Sequence, residues 1–148
     1  MKYLTSILAI AGLAAAAPTS SQLEERDVQT VHLIFHGGPA SYNLTLPADG
    51  KVYPTNNNIA VSIIDAPDYN AFQQCTFYTP GPHTLASSIS PEGVGQVIVG
   101  PPQPVTGVSC YGMCVQTYGD CYSQGQYVGP CCNGFCAANK CRPWVQPT

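Results

Sequence analysis

The chain has few charged side chains, and basic ones are the scarcest. Charged residues make up 9% of its 148 residues, with five Lys and Arg against eight Asp and Glu. Nucleic-acid binding is excluded, because neutralising phosphates requires Lys and Arg. An anionic membrane surface is disfavoured for the same reason. Beyond the N-terminal segment, no apolar stretch approaches the length of a membrane span, so we expect no membrane insertion.

The short motifs of metal binding and covalent catalysis are also missing. No G-x-S-x-G nucleophile elbow occurs. His32 and His36 have the H-x3-H spacing of metal ligands, but the apolar residues around them predict a strand. Two side chains four residues apart on a strand lie roughly 13 Å from each other, too far to share an ion. We therefore predict no metal site and no cofactor.

Acidic residues that could form a hydrolytic pair each lie beside Gly or Pro, or at a cap position. They are Asp65, Asp68, Glu92 and Asp120. At such positions a carboxylate usually accepts hydrogen bonds from the local backbone. The cysteines are expected to be paired, which leaves no thiol nucleophile. We predict no catalytic residue and a protein that is not an enzyme.

The first residues have the pattern of a signal peptide, which we assign to residues 1–17: Lys2, an apolar core and a run of Ala at the cleavage site. Residues 18–26 end in Leu-Glu-Glu-Arg, which resembles the pro-regions of secreted fungal proteins; a disordered mature N terminus is the alternative. The mature chain is expected to begin at Asp27. Export would bring eight cysteines into an oxidising compartment. We expect a secreted, extracellular protein, with the host apoplast as one destination.

Short apolar segments separated by turn residues occupy residues 27–99. Strands are predicted at 28–35, 42–46, 51–53, 59–64, 75–78, 84–88 and 96–99. Asp68 is expected to cap one helical turn that ends at Phe72. Short strands punctuated by turns predict an all-β domain, a small antiparallel sandwich or barrel. The Pro-rich segment 100–109 is expected to be an extended connector between this domain and the cysteine-rich region.

The cysteine-rich region, residues 110–148, holds seven of the eight cysteines. The last six follow the order C-x6-C-x9-CC-x3-C-x4-C, and six cysteines allow 15 pairings. This order, with its adjacent pair, resembles the inhibitor cystine knot (knottin) family over residues 114–141. The resemblance implies the disulfides Cys114–Cys132, Cys121–Cys136 and Cys131–Cys141. Cys75 and Cys110 are then left over, and we predict that they bridge the β domain and the cysteine-rich region.

Asn43-Leu44-Thr45 is an N-glycosylation sequon. Apolar and polar residues alternate here, so Asn43 is expected to point away from the apolar face, where a glycan would be accommodated. Whether the sequon is occupied stays open.

Exposed aromatic side chains are the best candidates for binding. The interior of a knottin is filled by its own disulfides, so rings in the cysteine-rich region are free to stack on sugars or to anchor in a partner's pocket. Packing on the β domain is the alternative. The candidate binding residues are Tyr118, Tyr122, Tyr127, Phe135 and Trp144. We expect recognition to centre on the loop between Cys121 and Cys131.

The strand region also resembles the small secreted cysteine-rich proteins of filamentous fungi. This resemblance implies a fungal source and an effector-like lifestyle rather than a particular chemistry. Because catalytic motifs are missing and a rigid disulfide scaffold suits recognition, we expect a non-catalytic, effector-like protein that acts as a monomer on a host or competitor target outside the cell, either an extracellular host protein or a cell-wall glycan. Two other functions stay open. One is a chitin- or glucan-binding module, and the other is a knottin-type protease inhibitor in which the loop Tyr122 to Pro130 mimics a substrate.

Overall fold

A computed structural model describes residues 28–145 of the chain. The expected signal peptide, pro-region and start at Asp27 lie outside these residues. The described part holds one short helix, α1 (Ala71–Gln74), and twelve strands. The strands are β1 (Thr30–Gly37), β2 (Ala40–Pro47), β3 (Tyr53–Pro54), β4 (Val61–Ala66), β5 (Cys75–Tyr78), β6 (Thr84–Ile89), β7 (Gly95–Gln103), β8 (Gly107–Cys110), β9 (Tyr122–Ser123), β10 (Gln126–Tyr127), β11 (Phe135–Ala137) and β12 (Lys140–Arg142). No helix among the described residues has the length and apolar character to cross a membrane.

An antiparallel five-stranded sheet, in the order β2-β1-β4-β7-β6, is the largest element. Its strands bury alternate residues: Val31, Leu33 and Phe35 of β1 lie in the core, while the side chains between them lie on the opposite, outer face. The sheet ends at β2 on one side and β6 on the other. Its two edges are therefore not joined to each other.

A smaller sheet, in the order β3-β8-β5, covers the buried face of the larger one. The rings of Phe35 and Phe77 meet edge to face across the two sheets, with their centroids 6.4 Å apart. Val108 of β8 belongs to the same buried cluster. The prediction of an all-β, antiparallel fold is confirmed, and the arrangement is a sandwich of unequal sheets.

The Pro-rich segment does not separate the strands from the cysteine-rich region as expected. β7 continues through Pro101 and Pro102 to Gln103, and β8 joins the smaller sheet. The pairing of β7 with β4 shifts register at this point, since Val61 faces Gln103 whereas Ile63 faces Ile98. A bulge leaves residues out of the hydrogen-bond ladder, and this is where a strand tolerates proline.

Asp68 does not cap α1. Asn70 does, through its side-chain oxygen, which accepts a hydrogen bond of 3.3 Å from the backbone N–H of Gln73. The carboxylate of Asp68 instead accepts a hydrogen bond of 3.2 Å from the backbone N–H of His32 and contacts the His32 ring at 2.5 Å. β4 pairs with β1 only from Ile34 to His36, so His32 has no strand partner on the β4 side, and its N–H takes a side-chain acceptor there.

Four disulfides cross-link the chain, and each joins the two cysteines expected from the sequence. They are Cys75–Cys110, Cys114–Cys132, Cys121–Cys136 and Cys131–Cys141. The two hairpins β9–β10 and β11–β12 lie in this region, which we call the cysteine module (described residues 110–145). Cys114 and Cys132 are part of the buried cluster of the sandwich. The module is therefore packed on the sandwich rather than tethered to it.

Candidate binding cleft

A half-open cleft of about 190 Å³ lies where the five-stranded sheet meets the cysteine module. One wall is formed by the ends of β6 and β7, at residues 87–89 and 95–97. Residues 69–72, which lead into and begin α1, form the second wall. The third wall belongs to the module and consists of residues 131–134 and Trp144. Segments far apart in sequence therefore build a single depression.

The wall formed by β6 and β7 belongs to the face of the large sheet that is buried in the sandwich, but here that face is exposed to solvent. Ser87 and Ile89 alternate with Ser88 along β6, and Ser87 faces Val97, a core residue, on β7. The side chains of Ser87 and Ile89 therefore point to the cleft side, whereas Ser88 points to the outer face. Ile89 is exposed although it lies on the apolar face. The cleft is thus an uncovered end of the core.

The wall beside α1 is bonded directly to the module. The amide nitrogen of Asn70 donates to the carbonyl oxygen of Cys131 at 3.0 Å. The hydroxyl of Tyr69 donates to the carbonyl oxygen of Gly112 at 2.7 Å. Tyr69 is 1% exposed, and this burial raises its pKa to about 12. Phe72 turns outward instead and leaves 44% of its surface accessible.

The module wall is held by Asn133 and a glycine. The side-chain oxygen of Asn133 accepts from the backbone N–H of Gly95 at 3.0 Å, and its nitrogen donates to the carbonyl oxygen of Gly93 at 3.1 Å. Gly134 has φ +129°, and a Cβ at this position would clash with the carbonyl oxygen of Arg142. Only glycine lets the chain turn here so closely beside β12.

Trp144 forms the outer lip of the cleft. It is 40% exposed, and its ring lies 5.5 Å from that of Phe135 at an angle of 39°. The next residue, Val145, lies against Gly93, where an added Cβ would come within 3.0 Å of it. The Trp144 ring therefore packs against Phe135, and the contact of Val145 with Gly93 fixes the backbone beside it.

The cleft offers aromatic faces and uncharged polar groups. None of its lining residues is Asp, Glu, Lys, Arg or His. Within residues 28–145 the hydroxyl of Ser87 makes no hydrogen bond, and the amides of Asn70 and Asn133 each keep unused donor and acceptor capacity. This combination suits the binding of a neutral molecule and supplies neither a nucleophile–base pair nor a carboxylate pair.

The aromatic residues predicted for binding fall into separate groups. Trp144 lines the cleft and Phe135 supports it from behind. Tyr122 and Tyr127 face each other across β9–β10, with ring centroids 5.4 Å apart, and do not line the cleft. Tyr118 is exposed and also lies outside the cleft, with its N–H bonded to the carbonyl oxygen of Cys141 at 2.7 Å.

Sequence reasoning missed most contributors to the cleft, among them Tyr69, Asn70, Phe72, Ser87 and Asn133. Phe72 was placed only at the end of a helical turn, and Tyr69 and Asn133 lie in turns. The sequence does show several aromatic residues around Tyr69 and Phe72, but the local pattern does not indicate which other segment of the fold they lie against.

His32 and His36 both lie in β1, the strand predicted there, each beside an aspartate. Nε2 of His36 lies 2.7 Å from a carboxylate oxygen of Asp65, whose other oxygen accepts from Gln96 at 2.7 Å. The local backbone role predicted for Asp65 is therefore wrong: it binds side chains of two neighbouring strands on the outer face of the sheet. The local role predicted for Asp68 is also wrong, because its partner, His32, lies 36 residues away on β1.

The remaining sequence-derived positions are placed as follows. Asp120 forms an ion pair of 2.6 Å with Lys140. The sulfur atoms of Cys121, Cys131 and Cys141 lie close together, but all three belong to disulfides and are not free to ligate a metal. Asn43 is exposed on β2, an edge strand, on the outer face of the sheet.

Comparison of the chain with protein-family models, with curated proteins and with solved structures found no match.

Proposed function

We propose that this chain is a secreted, non-catalytic recognition protein of the effector-like class, which binds a target outside the cell through the cleft between the sheet and the cysteine module. The observation that carries the proposal is the cleft's lining. Two exposed rings, Phe72 and Trp144, flank uncharged hydrogen-bonding groups. Binding sites are typically concave, largely apolar and furnished with a few polar groups that orient the ligand.

The disulfides support an extracellular site of action. All eight cysteines are paired, as is typical of proteins that fold in an oxidising environment. The three bridges inside the module follow the first-to-fourth, second-to-fifth, third-to-sixth order of knottins. We therefore propose that the module is knottin-like and that the chain belongs with the secreted cysteine-rich proteins of fungi.

Rigidity of the walls favours recognition. Asn70 and Asn133 bond the module to the sandwich, and Cys131 and Cys132 each carry a disulfide. A site ordered before binding loses little conformational entropy when the ligand arrives. Because little binding free energy is then lost in ordering the site, even a small cleft can hold its ligand.

The β9–β10 hairpin is the second candidate surface. Tyr122 and Tyr127 are both exposed and in contact, so together they present an apolar patch. Gln124 and Gly125 between them have φ values of 52° and 76°, as in the tight two-residue turns of hairpins. A substrate-mimicking protease inhibitor requires an extended loop, so this turn weighs against that alternative.

Retention on immobilised targets tests the proposal. The folded, oxidised protein would be passed over insoluble chitin, cellulose and β-glucan, and over immobilised proteins of host extracellular fluid. Trp144→Ala should abolish retention on whichever target is bound, while the double variant Tyr122→Ala and Tyr127→Ala should keep it. Non-reducing peptide maps and thermal melts of each variant establish that the fold is intact.

The opposite pattern would move the site to the hairpin, as expected from the sequence alone. Retention that survives both variants would place recognition outside the module and overturn the proposal. Release of soluble fragments from a bound polymer would overturn the assignment as non-catalytic.

A further inference from the structure

We propose that the cleft holds one neutral pyranose ring of a glycan chain, stacked on Trp144 and hydrogen-bonded by Ser87, Asn70 and Asn133. This inference rests on the proposed function, because it names the ligand class of the same site.

The volume limits the ligand to about one ring. Pockets for drug-sized ligands enclose roughly 300–1,000 Å³, whereas this cleft encloses about 190 Å³ and is open on one side. A folded peptide element does not fit in that space. A single ring of a chain fits, with its neighbours leaving through the open side.

The charge pattern selects neutral sugars. No acid or base lines the cleft. The acids nearest in sequence to the lining residues are Asp65, which is engaged by His36 and Gln96, and Asp68, which is engaged by His32. A uronic acid, sulfate or phosphate would lose water on entering without meeting an opposite charge, and this loss is costly.

Unused hydrogen-bonding groups favour a sugar over an apolar side chain of a protein partner. The hydroxyl of Ser87 points to the cleft side and has no partner within residues 28–145. In Asn70 and in Asn133 the amide nitrogen donates one hydrogen bond and the amide oxygen accepts one, so each side chain can still form further hydrogen bonds. Covering such groups with a hydrocarbon side chain would leave each of them without a hydrogen-bond partner, which is unfavourable. Sugar hydroxyls would satisfy them.

Trp144 supplies the stacking face. Phe135 contacts it at 5.5 Å, and Val145 fixes the following backbone against Gly93. Part of the indole remains open to the cleft side. An aromatic face held in place suits the C–H-rich face of a pyranose, since ring burial contributes strongly to binding.

Trp144 is the only tryptophan of the chain, so its fluorescence reports on this cleft alone. The folded protein would be titrated with three neutral oligosaccharide series, β-1,4-linked N-acetylglucosamine, β-1,4-linked glucose and β-1,3-linked glucose. A saturable change in emission is expected with at least one series, and the series that binds identifies the source as chitin, cellulose or β-1,3-glucan. Oligogalacturonate serves as the charged comparison and should bind at least 10-fold more weakly.

Variants locate the site by calorimetry. Ser87→Ala removes one hydrogen bond and should weaken binding roughly 10-fold, and Trp144→Ala should abolish it. Trp144→Tyr keeps a smaller ring and should retain weak binding, which keeps the test valid if the alanine variant fails to fold. Tyr122→Ala with Tyr127→Ala is the matched control and should bind like the parent protein.

Two results overturn the inference in different ways. If neutral sugars fail to bind at millimolar concentration while a peptide or protein target is retained in a Trp144-dependent manner, the ligand class is wrong but the proposed function stands. If sugar binds unchanged in Ser87→Ala and Trp144→Ala, the cleft is not the site, and the proposed function fails with it.

Discussion

The hydroxyl of Tyr69 is hydrogen-bonded to the carbonyl oxygen of Gly112, 43 residues further along the chain. This contact crosses the boundary between the sandwich and the cysteine module. Tyr69 belongs to the same buried cluster as Cys114 and Cys132. The module is consequently part of the packed body, and the cleft between them has fixed walls.

Tyr69 should titrate late and should make the protein sensitive to alkali. Its pKa is about 12 in the folded chain and about 10 when unfolded. Below pH 10 the phenol is neutral in both states, and its contribution to stability is fully present. Between about pH 10 and 12 only the unfolded chain releases the proton, so the free energy of unfolding falls, by about 2–3 kcal/mol from this group.

Absorbance of tyrosinate as a function of pH, with urea unfolding in the same range, measures both effects. Tyr69→Phe should remove the latest phase of the titration. An unchanged high-pH phase in that variant would contradict the assignment.

Removing the Cys75–Cys110 disulfide should destabilise the fold substantially. The two residues face each other on β5 and β8 and are 35 positions apart in sequence. In the loop-entropy model a bridge of this span contributes about 4 kcal/mol. Denaturant unfolding of the double variant Cys75→Ser and Cys110→Ser measures the loss. A change below 1 kcal/mol, or a peptide map that joins Cys110 to another cysteine, would count against the bridge.

Gly134→Ala should prevent correct folding of the module. A methyl group there meets the carbonyl oxygen of Arg142, and the backbone must keep φ +129°. Gly125→Ala is the matched control, because it also has a positive φ, +76°, but an added Cβ meets nothing within 4 Å. The control should cost only about 1 kcal/mol of strain. The yield of correctly oxidised protein, compared between the two variants, decides the matter.

Asp68→Ala should cost about 1–2 kcal/mol, because the N–H and ring of His32 lose their acceptor. Asp120→Ala removes an exposed ion pair with Lys140 and should cost no more than about 0.5 kcal/mol. If the two variants lost the same free energy of unfolding, the contact between Asp68 and β1 would stabilise the fold no more than the exposed ion pair does.

The core strands could be predicted from the sequence because alternation is a local signal. Val31, Leu33 and Phe35 alternate with polar or less buried neighbours, and β1 lies within two residues of its predicted position at each end. The disulfide partners followed from the spacing and its family resemblance. Secretion, the processing site and the occupancy of Asn43 stay predictions.

The extension of β7 beyond its predicted strand at 96–99 and the cleft could not be predicted, for two different reasons. Pro101 and Pro102 argue against a strand locally, and only the register shift at β4 makes them tolerable. The cleft depends on Phe72 and Asn133, far apart in sequence, lining the same depression. Residue patterns describe which face of an element is apolar, but not which distant segment leaves that face uncovered.

The adjacent pair Cys131 and Cys132 has a consequence for when and where the protein can act. Each of the two closes a different disulfide, and both line the cleft. The five strands of the large sheet contain no cysteine. A reductant should therefore act most directly on the proposed binding surface, while the large sheet is weakened through the loss of Cys75–Cys110. Binding through the proposed cleft would then begin only once oxidation is complete, and it would end in a reducing environment.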